Sequence, residues 1–305
     1  MKIKIGTLGL ISIIFIGCQH SNKKSQSVSE VESTVQPNHE KPSDLLSDTI
    51  SDYSLIHFWE NFDFSDEVRM LDPEYGEQNF VNYINEFSKS NPQSISQSVK
   101  NLIDKSSADE VVQSYFEELL KKYLYDVNSP FYNEYYYTLA LEQLINSEHV
   151  DINYKKKYKI ILQTANKNKI GDIAQDFEYV TNNGSHKLSD HKTNYIILFF
   201  YDPGCQLCNS IIQDLKINDY INSKLKGNLT LLAIYPEGDK KKWLEYNDRI
   251  PKNWINGLDI EQKILRQGLY DLKASPTIYL LDKNKKVLLK DAEIQQVIHY
   301  LKESK

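Results

Sequence analysis

Tyr195-Ile-Ile-Leu-Phe-Phe-Tyr-Asp-Pro-Gly-Cys-Gln-Leu-Cys208 decides how the second half of this chain is read. Its first six residues form a continuous apolar run of strand length, the pattern of a central strand buried on both faces. Helical spacing follows from Ser210 to Lys224, with Ile211, Ile212 and Leu215 on one side. Two cysteines three positions apart therefore stand at a strand-to-helix junction. A helix N-terminus offers unpaired N–H groups and the positive end of the macrodipole, and both stabilise a thiolate. Cys205 is then placed to attack a disulfide, and Cys208, one turn along, to resolve the mixed disulfide that forms. Two plainer readings compete. Half a zinc site needs two more ligands, and none of His186, His191 or His299 shows ligand spacing with another. A purely structural disulfide closing so short a loop stabilises weakly. Redox chemistry at the thiols is preferred, with no metal and no cofactor.

Outward from the pair, strands and helices alternate. Leu229 to Tyr235 reads as a second buried strand, and Lys240 to Arg249 as a helix carrying Trp243 and Tyr246. Ile278–Leu281 and Val287–Leu289 flank a hairpin turn over 282–285, and Ile294 to Leu301 closes the chain as an amphipathic helix. This order implies a mixed sheet with helices on both faces. Ala274-Ser-Pro-Thr277 precedes the Ile278 strand; a proline there, after an extended residue, suits a cis bond, although prolines also start strands without one.

Residues 170 to 305 resemble the thioredoxin-like thiol–disulfide oxidoreductases of the TlpA/ResA type. The likeness rests on Ile170-Gly-Asp-Ile-Ala-Gln-Asp-Phe177, on the turn and strand at Asn183-Gly184 and Leu188-Ser-Asp190, on Cys205 and Cys208, and on Ser275-Pro276-Thr277. It implies that Ser275, Pro276 and Thr277 face the cysteines and hold the backbone of an extended substrate. Three features depart from the family. Gly204 stands where a tryptophan is usual, Gln206-Leu207 separates the cysteines, and the acidic group often found upstream would fall at Phe199. Asp202 is nearer but reads as exposed. Nothing resembles the Pro-His dipeptide of strong oxidants, which favours a reducing or exchanging role.

The first half reads differently. From Tyr53 to about Lys167 the apolar spacing is helical: Phe80, Tyr83, Ile84 and Phe87, then Ile95, Val99, Leu102 and Ile103, then Val112, Tyr115, Phe116, Leu119 and Tyr123, then Tyr137, Leu141, Leu144 and Ile145. Asp109 sits at the start of the third helix, and Ser129-Pro130 marks the opening of the fourth. Such aromatic stripes build a core or line a peptide groove. Tyr154-Lys-Lys-Lys-Tyr158 invites a nucleic-acid reading, but with the acidic total and the export signal it reads as a solvated helix face. The mature chain also resembles bacterial lipoproteins that place a helical domain of unknown function before a thioredoxin domain, through Phe62–Asp66, Tyr123–Phe131, Trp254–Asp259 and Leu269–Pro276.

Residues 1–17 read as an export signal: Lys2 and Lys4, then an apolar run from Ile5 to Ile16 too short to span a bilayer, which takes about 20 residues. The run stops at Gly17-Cys18, which resembles a lipobox, so Cys18 is expected to carry lipid after cleavage; an ordinary signal with an incidental cysteine is the alternative. Gln19 follows where an Asp would resemble an inner-membrane retention signal, which points to the outer membrane facing the periplasm. Residues 18–51 are polar, with Pro37 and Pro42, and read as a flexible tether.

The whole chain has 305 residues, 36 Lys plus Arg and 42 Asp plus Glu. Removing Lys2 and Lys4 leaves 34 against 42, a net of −8, which argues against nucleic-acid binding. Only three cysteines rule out a disulfide scaffold and a four-thiolate zinc site. One is assigned to lipid and two to redox chemistry. The expected architecture is α/β: a signal (1–17), a tether (18–51), a small all-α domain (52–167) and a thioredoxin-like domain with a mixed sheet flanked by helices (168–305). The expected partners are protein thiols and disulfides, a redox donor, and the membrane through the N-terminal lipid. The rivals are a thioredoxin-like module for metal or haem maturation, and a peroxidase of the same fold. The first wants a third soft ligand, and Met70 is the one methionine beyond the start. The second lacks its usual lone-cysteine setting.

Overall fold

The computed structural model describes residues 50–304, so the signal, Cys18 and nearly all of the tether lie outside the described residues. The first part is helical: α1 (Gln78–Asn85), α2 (Pro92–Ser106), α3 (Glu110–Leu124), α4 (Glu134–Asn146) and α5 (Ile152–Ala165). Their apolar stripes are core. Phe80, Tyr83, Ile95, Val99, Leu102, Phe116 and Leu141 are all buried in one cluster with Trp59. Trp59 meets Tyr83 and Phe116 edge-on, with ring centroids 5.2 and 5.4 Å apart, the offset geometry that ring quadrupoles favour. Asp109 caps α3 by accepting the Val111 and Val112 N–H groups at 2.8 and 3.1 Å. Helix α4 opens later than Ser129-Pro130 suggests. Asn133 is its N-cap, accepting from the Tyr136 N–H at 3.1 Å, while residues 126–132 form a turn closed by Ser129 N–H on Asp126 O and Tyr132 N–H on Ser129 O.

The second part is a seven-stranded mixed sheet in the order β2-β1-β5-β4-β3-β6-β7. The strands are β1 (Glu178–Thr181), β2 (Gly184–Lys187), β3 (Tyr195–Phe200), β4 (Leu229–Tyr235), β5 (Ile255–Leu258), β6 (Thr277–Asp282) and β7 (Val287–Leu289). The apolar run at 195–200 is the central strand, parallel to β4 and antiparallel to β6. Alternate side chains leave a strand on opposite faces, and β3 obeys this. Ile197 and Phe199 join one core cluster, while Ile196, Leu198 and Phe200 join another.

Helices α6 (Gln206–Lys216), α7 (Asp219–Lys224), α8 (Lys240–Tyr246) and α10 (Ile294–Glu303) all pack into the first cluster. The other face is covered by the one-turn helix α9 (Lys263–Arg266), through Ile264, and by Phe177 and Tyr270. The helix expected over 210–224 starts earlier and is broken. Asn218 accepts the Ile221 N–H at 3.0 Å and starts a new helix, so continuous apolar spacing hides the interruption. Leu188–Asp190 is a 3-10 turn rather than a strand, because the Asp190 carboxylate takes the Lys187 N–H at 2.7 Å.

A buried charge cluster joins the two parts. Lys273 Nζ lies 2.7 Å from Glu134, 3.0 Å from Asp271 and 2.7 Å from Asp291, and its side chain is only 5% exposed. Lys290 holds the other Glu134 oxygen at 2.7 Å. Tyr125 and Tyr132 donate to Asp271 and Asp291, each at 2.7 Å. Burial disfavours the Lys273 charge, but Asp291, Asp271 and Glu134 outweigh it and hold the ammonium well above its usual range.

Lys273→Met leaves three carboxylates without their shared cation, and the expected loss is about 3–5 kcal/mol in urea unfolding at pH 7. A base whose folded pKa is raised contributes its full stability below the unfolded value of about 10.4, and loses it only as pH rises through the folded one. The penalty is therefore the same at pH 9 as at pH 7. A penalty that shrank between those values would show that Lys273 is not the organising cation.

Candidate functional site

The chain leaves β3 at Phe200 and enters α6 at Gln206, with Cys205 as the N-cap residue. Here the cap is a sulfur: Cys205 Sγ accepts the Cys208 N–H at 3.0 Å. A backbone N–H and the positive end of a helix meet at this atom, which is the setting that stabilises a thiolate. Cys205 and Cys208 are joined in a disulfide with Cα atoms 5.2 Å apart. The two sulfurs differ in access. Cys208 is fully buried in the cluster that holds Phe199 and Ile212, whereas Cys205 is half-buried at the surface.

Ser275, Pro276 and Thr277 come to the same place from a distant stretch of chain. The Ser275–Pro276 bond is cis. The Ser275 carbonyl oxygen lies 3.1 Å from Cys205 Sγ, and its hydroxyl lies 3.3 Å from Cys208 Sγ. A disulfide sulfur carries no proton, so the first of these is a contact in the oxidised state and a hydrogen bond only to a reduced thiol. Thr277 is buried and begins β6, with its hydroxyl on Ala274 O at 2.7 Å.

Asp202, expected to be exposed, is half-buried in an ion pair. Burial opposes its ionisation, but the Lys242 ammonium at 2.7 Å and the Gly204 N–H at 3.1 Å prevail, and the carboxyl stays below its usual range. A carboxylate held charged in this way braces the loop before Cys205 and is a poor proton acceptor at neutral pH. Phe199 lies in the core with Cys208, so the position where an acid is usual is apolar here.

Sequence reasoning passed over the groups that fix the helix entrance. The Asn209 carboxamide donates to Cys205 O at 3.1 Å and accepts from the Tyr246 hydroxyl. Asn256 accepts from Tyr201 and Trp243 at 2.8 and 3.0 Å. These are ordinary polar residues in the sequence, and only their convergence marks them. His186 and His191 do come together around Tyr179, whose hydroxyl lies 2.7 Å from His191 Nε2. Among the described residues no group of three or more His, Cys, Asp or Glu side chains is arranged to hold a metal ion. Beside the disulfide opens a groove of about 430 Å³ whose lining includes Leu207, Ile211, Pro276 and Ile294.

Residues 17–168 match a family model described as a domain of unknown function, DUF5106, and residues 170–290 match the AhpC/TSA family. A thioredoxin-like protein from Bacteroides caccae is similar over 92% of this chain and 100% of its own, at 33% identity and a TM-score of 0.74. The C-terminal domain of an uncharacterized protein from Bacteroides fragilis is 41% identical over 45% of this chain and 99% of its own, with a TM-score of 0.43. A domain of a possible thiol-disulfide isomerase from Cytophaga hutchinsonii is 23% identical over 45% of this chain and 94% of its own, with a TM-score of 0.38. No curated protein matches.

The burial difference sets an order of reactivity. After reduction, iodoacetamide is expected to alkylate Cys205 at least about tenfold faster than Cys208. Mass spectrometry of the cysteine peptides reads the ratio, and equal rates would contradict the assignment of Cys205 as the accessible sulfur.

Proposed function

The chain belongs to the thioredoxin-like proteins, an AhpC/TSA domain behind a DUF5106 domain, and on that premise we propose that it is a thiol–disulfide oxidoreductase that reduces or exchanges protein disulfides through Cys205 and Cys208. The observation that carries the reading is the disulfide at the N-terminus of α6, with Cys205 Sγ 3.1 Å from the Ser275 carbonyl oxygen. An extended polypeptide lying along Ser275–Thr277 brings its own disulfide to Cys205, the more accessible of the two sulfurs.

The exchange balances as follows. In the reduced enzyme the Cys205 thiolate attacks one substrate sulfur, an enzyme–substrate disulfide forms, and the second substrate sulfur leaves as a thiolate that takes a proton. Cys208 then loses its proton. Cys208 is buried in an apolar cluster with the Ser275 hydroxyl 3.3 Å from its sulfur, so the proton leaves past that hydroxyl to water. The Cys208 thiolate attacks Cys205 Sγ, the Cys205–Cys208 disulfide closes, and the first substrate sulfur departs as a thiolate that takes a proton from water. The protons that Cys205 and Cys208 gave up have passed to that water. Two electrons and two protons pass to the substrate. A dithiol donor returns them to the enzyme.

In this proposal the protein works in the periplasm on a lipid anchor at Cys18, with the outer membrane as its support. What supports this is the apolar run from Ile5 to Ile16 ending at Gly17-Cys18, followed by a polar stretch long enough to reach roughly 30 Å from the surface.

Cys205→Ser is expected to abolish reduction of insulin disulfides, while Cys208→Ser stalls as an enzyme–substrate disulfide visible on a non-reducing gel. Insulin reduction that survived Cys205→Ser would defeat the enzymatic reading. For the anchor, Cys18→Ser is expected to remove labelling by radioactive palmitate and to release the protein from the membrane fraction. Labelling retained in that variant would overturn the anchor.

A further inference from the structure

The groove beside the disulfide is not built by the thioredoxin-like part alone. Val127 and Asn128, which precede Pro276 by about 150 positions, line it together with Leu207, Pro276 and Ile294. They sit on the 125–133 turn of the helical part. That turn is closed on itself, with Asn133 N–H on Leu124 O at 3.0 Å and Asn128 N–H on the Asp126 carboxylate at 2.9 Å.

It is also pinned at both ends to the elements that make the other walls. Tyr125 donates to Asp271, while Tyr132 donates to Asp291 and Glu134 pairs with Lys273 and Lys290. Asp271 and Lys273 directly precede the Ala274–Thr277 loop, and Lys290 and Asp291 directly precede α10. The two sides of the groove are therefore held by one buried network rather than by separate domains that happen to be near.

The groove has a chemical preference. Leu207, Ile211, Pro276 and Val127 present apolar surface. Asp291 on its lining is buried and already paired with Lys273, so the acidic charge offered to a ligand is that of exposed Glu293 and of exposed Asp126 beside Val127, and no lysine or arginine lines the groove. An apolar side chain is drawn into such a groove, and a neighbouring cation is favoured at its acidic rim.

We propose that the helical domain supplies a working wall of the substrate site. The 125–133 turn, through Val127 and Asn128, completes a groove that receives a polypeptide segment carrying an apolar side chain and an adjacent basic residue, next to the disulfide to be exchanged. The inference rests on the thiol-exchange reading of Cys205 and Cys208.

The test uses the full mature chain with three substrates: a disulfide peptide with a Leu-Lys flank, the same peptide with Leu-Glu, and hydroxyethyl disulfide, which is too small to fill the groove. The wild-type protein is expected to favour the Leu-Lys peptide over the Leu-Glu peptide about tenfold in kcat/KM. Val127→Asp is expected to lower the ratio of Leu-Lys peptide to hydroxyethyl disulfide turnover about tenfold. Asn128→Lys, at an exposed position that folding tolerates, is expected to narrow or reverse the Lys-over-Glu preference. Ratios in both variants equal to those of the wild type overturn the proposal while leaving thiol exchange standing. Failure of the wild type to turn over even hydroxyethyl disulfide removes the exchange reading, and the groove with it.

Discussion

A single buried ammonium organises this molecule. Lys273 comes from the thioredoxin-like part, and one of its three carboxylates, Glu134, comes from the helical part 139 positions away. Taking such charges out of water costs several kcal/mol per ion, so the arrangement persists only where every partner is in place. That condition fixes more than a contact. Lys273 and its neighbours Asp271, Lys290 and Asp291 lie at the roots of the cis-proline loop and of the last helix, and Tyr125, Tyr132 and Glu134 lie on or beside the 125–133 turn. The cis-proline loop and the helical domain are thus tied through one polar knot, which is why the groove beside the disulfide has walls from both.

The Cys205–Cys208 disulfide depends on a second constraint, the burial of β3. Its side chains fill cores on both faces of the sheet, so the strand is rigid and its end point is set. The chain leaves at Phe200 and must turn at once into α6, which leaves Cys205 as the cap and Cys208 facing the core. The asymmetry between the half-buried sulfur of Cys205 and the buried one of Cys208 follows from this geometry. The apolar character of position 199 follows as well, since Phe199 is buried in the same cluster as Cys208.

Much of this was legible from residue types. The run from Tyr195 to Phe200 is legible as a buried strand because six consecutive apolar residues, mostly β-branched or aromatic and followed after Tyr201 by Asp-Pro-Gly, suit a strand covered on both faces. Asp109 before a helical stripe is a cap, and Asp282 to Lys285 is a hairpin turn. Two helix starts were less legible, because a Ser-Pro start signal in one case and continuous apolar spacing in the other give way to a local asparagine cap. Asn133 rather than Ser129-Pro130 starts α4, and Asn218 splits a helix whose hydrophobic rhythm continues across the break. Strand β5 escaped notice, since Ile255-Asn-Gly-Leu258 has neither clean alternation nor a continuous apolar run. Its strand character comes from pairing beside β4 and β1.

The sequence by itself determined the α/β order of the second half, the helical character of the first, and the pairing of two cysteines at a helix start. Each of these rests on interactions between residues near in the chain: periodicity, caps and the helix dipole. Tertiary structure alone decided what surrounds the sulfurs. Ser275 reaches them across about 70 positions, Asn256 and Tyr246 brace the helix entrance, and Val127 reaches the groove from the other domain. The knot around Lys273 has the same origin. A lysine directly before an Ala-Ser-Pro looks like a solvated charge, and its partners become visible only when the fold brings together segments whose separation no local pattern encodes.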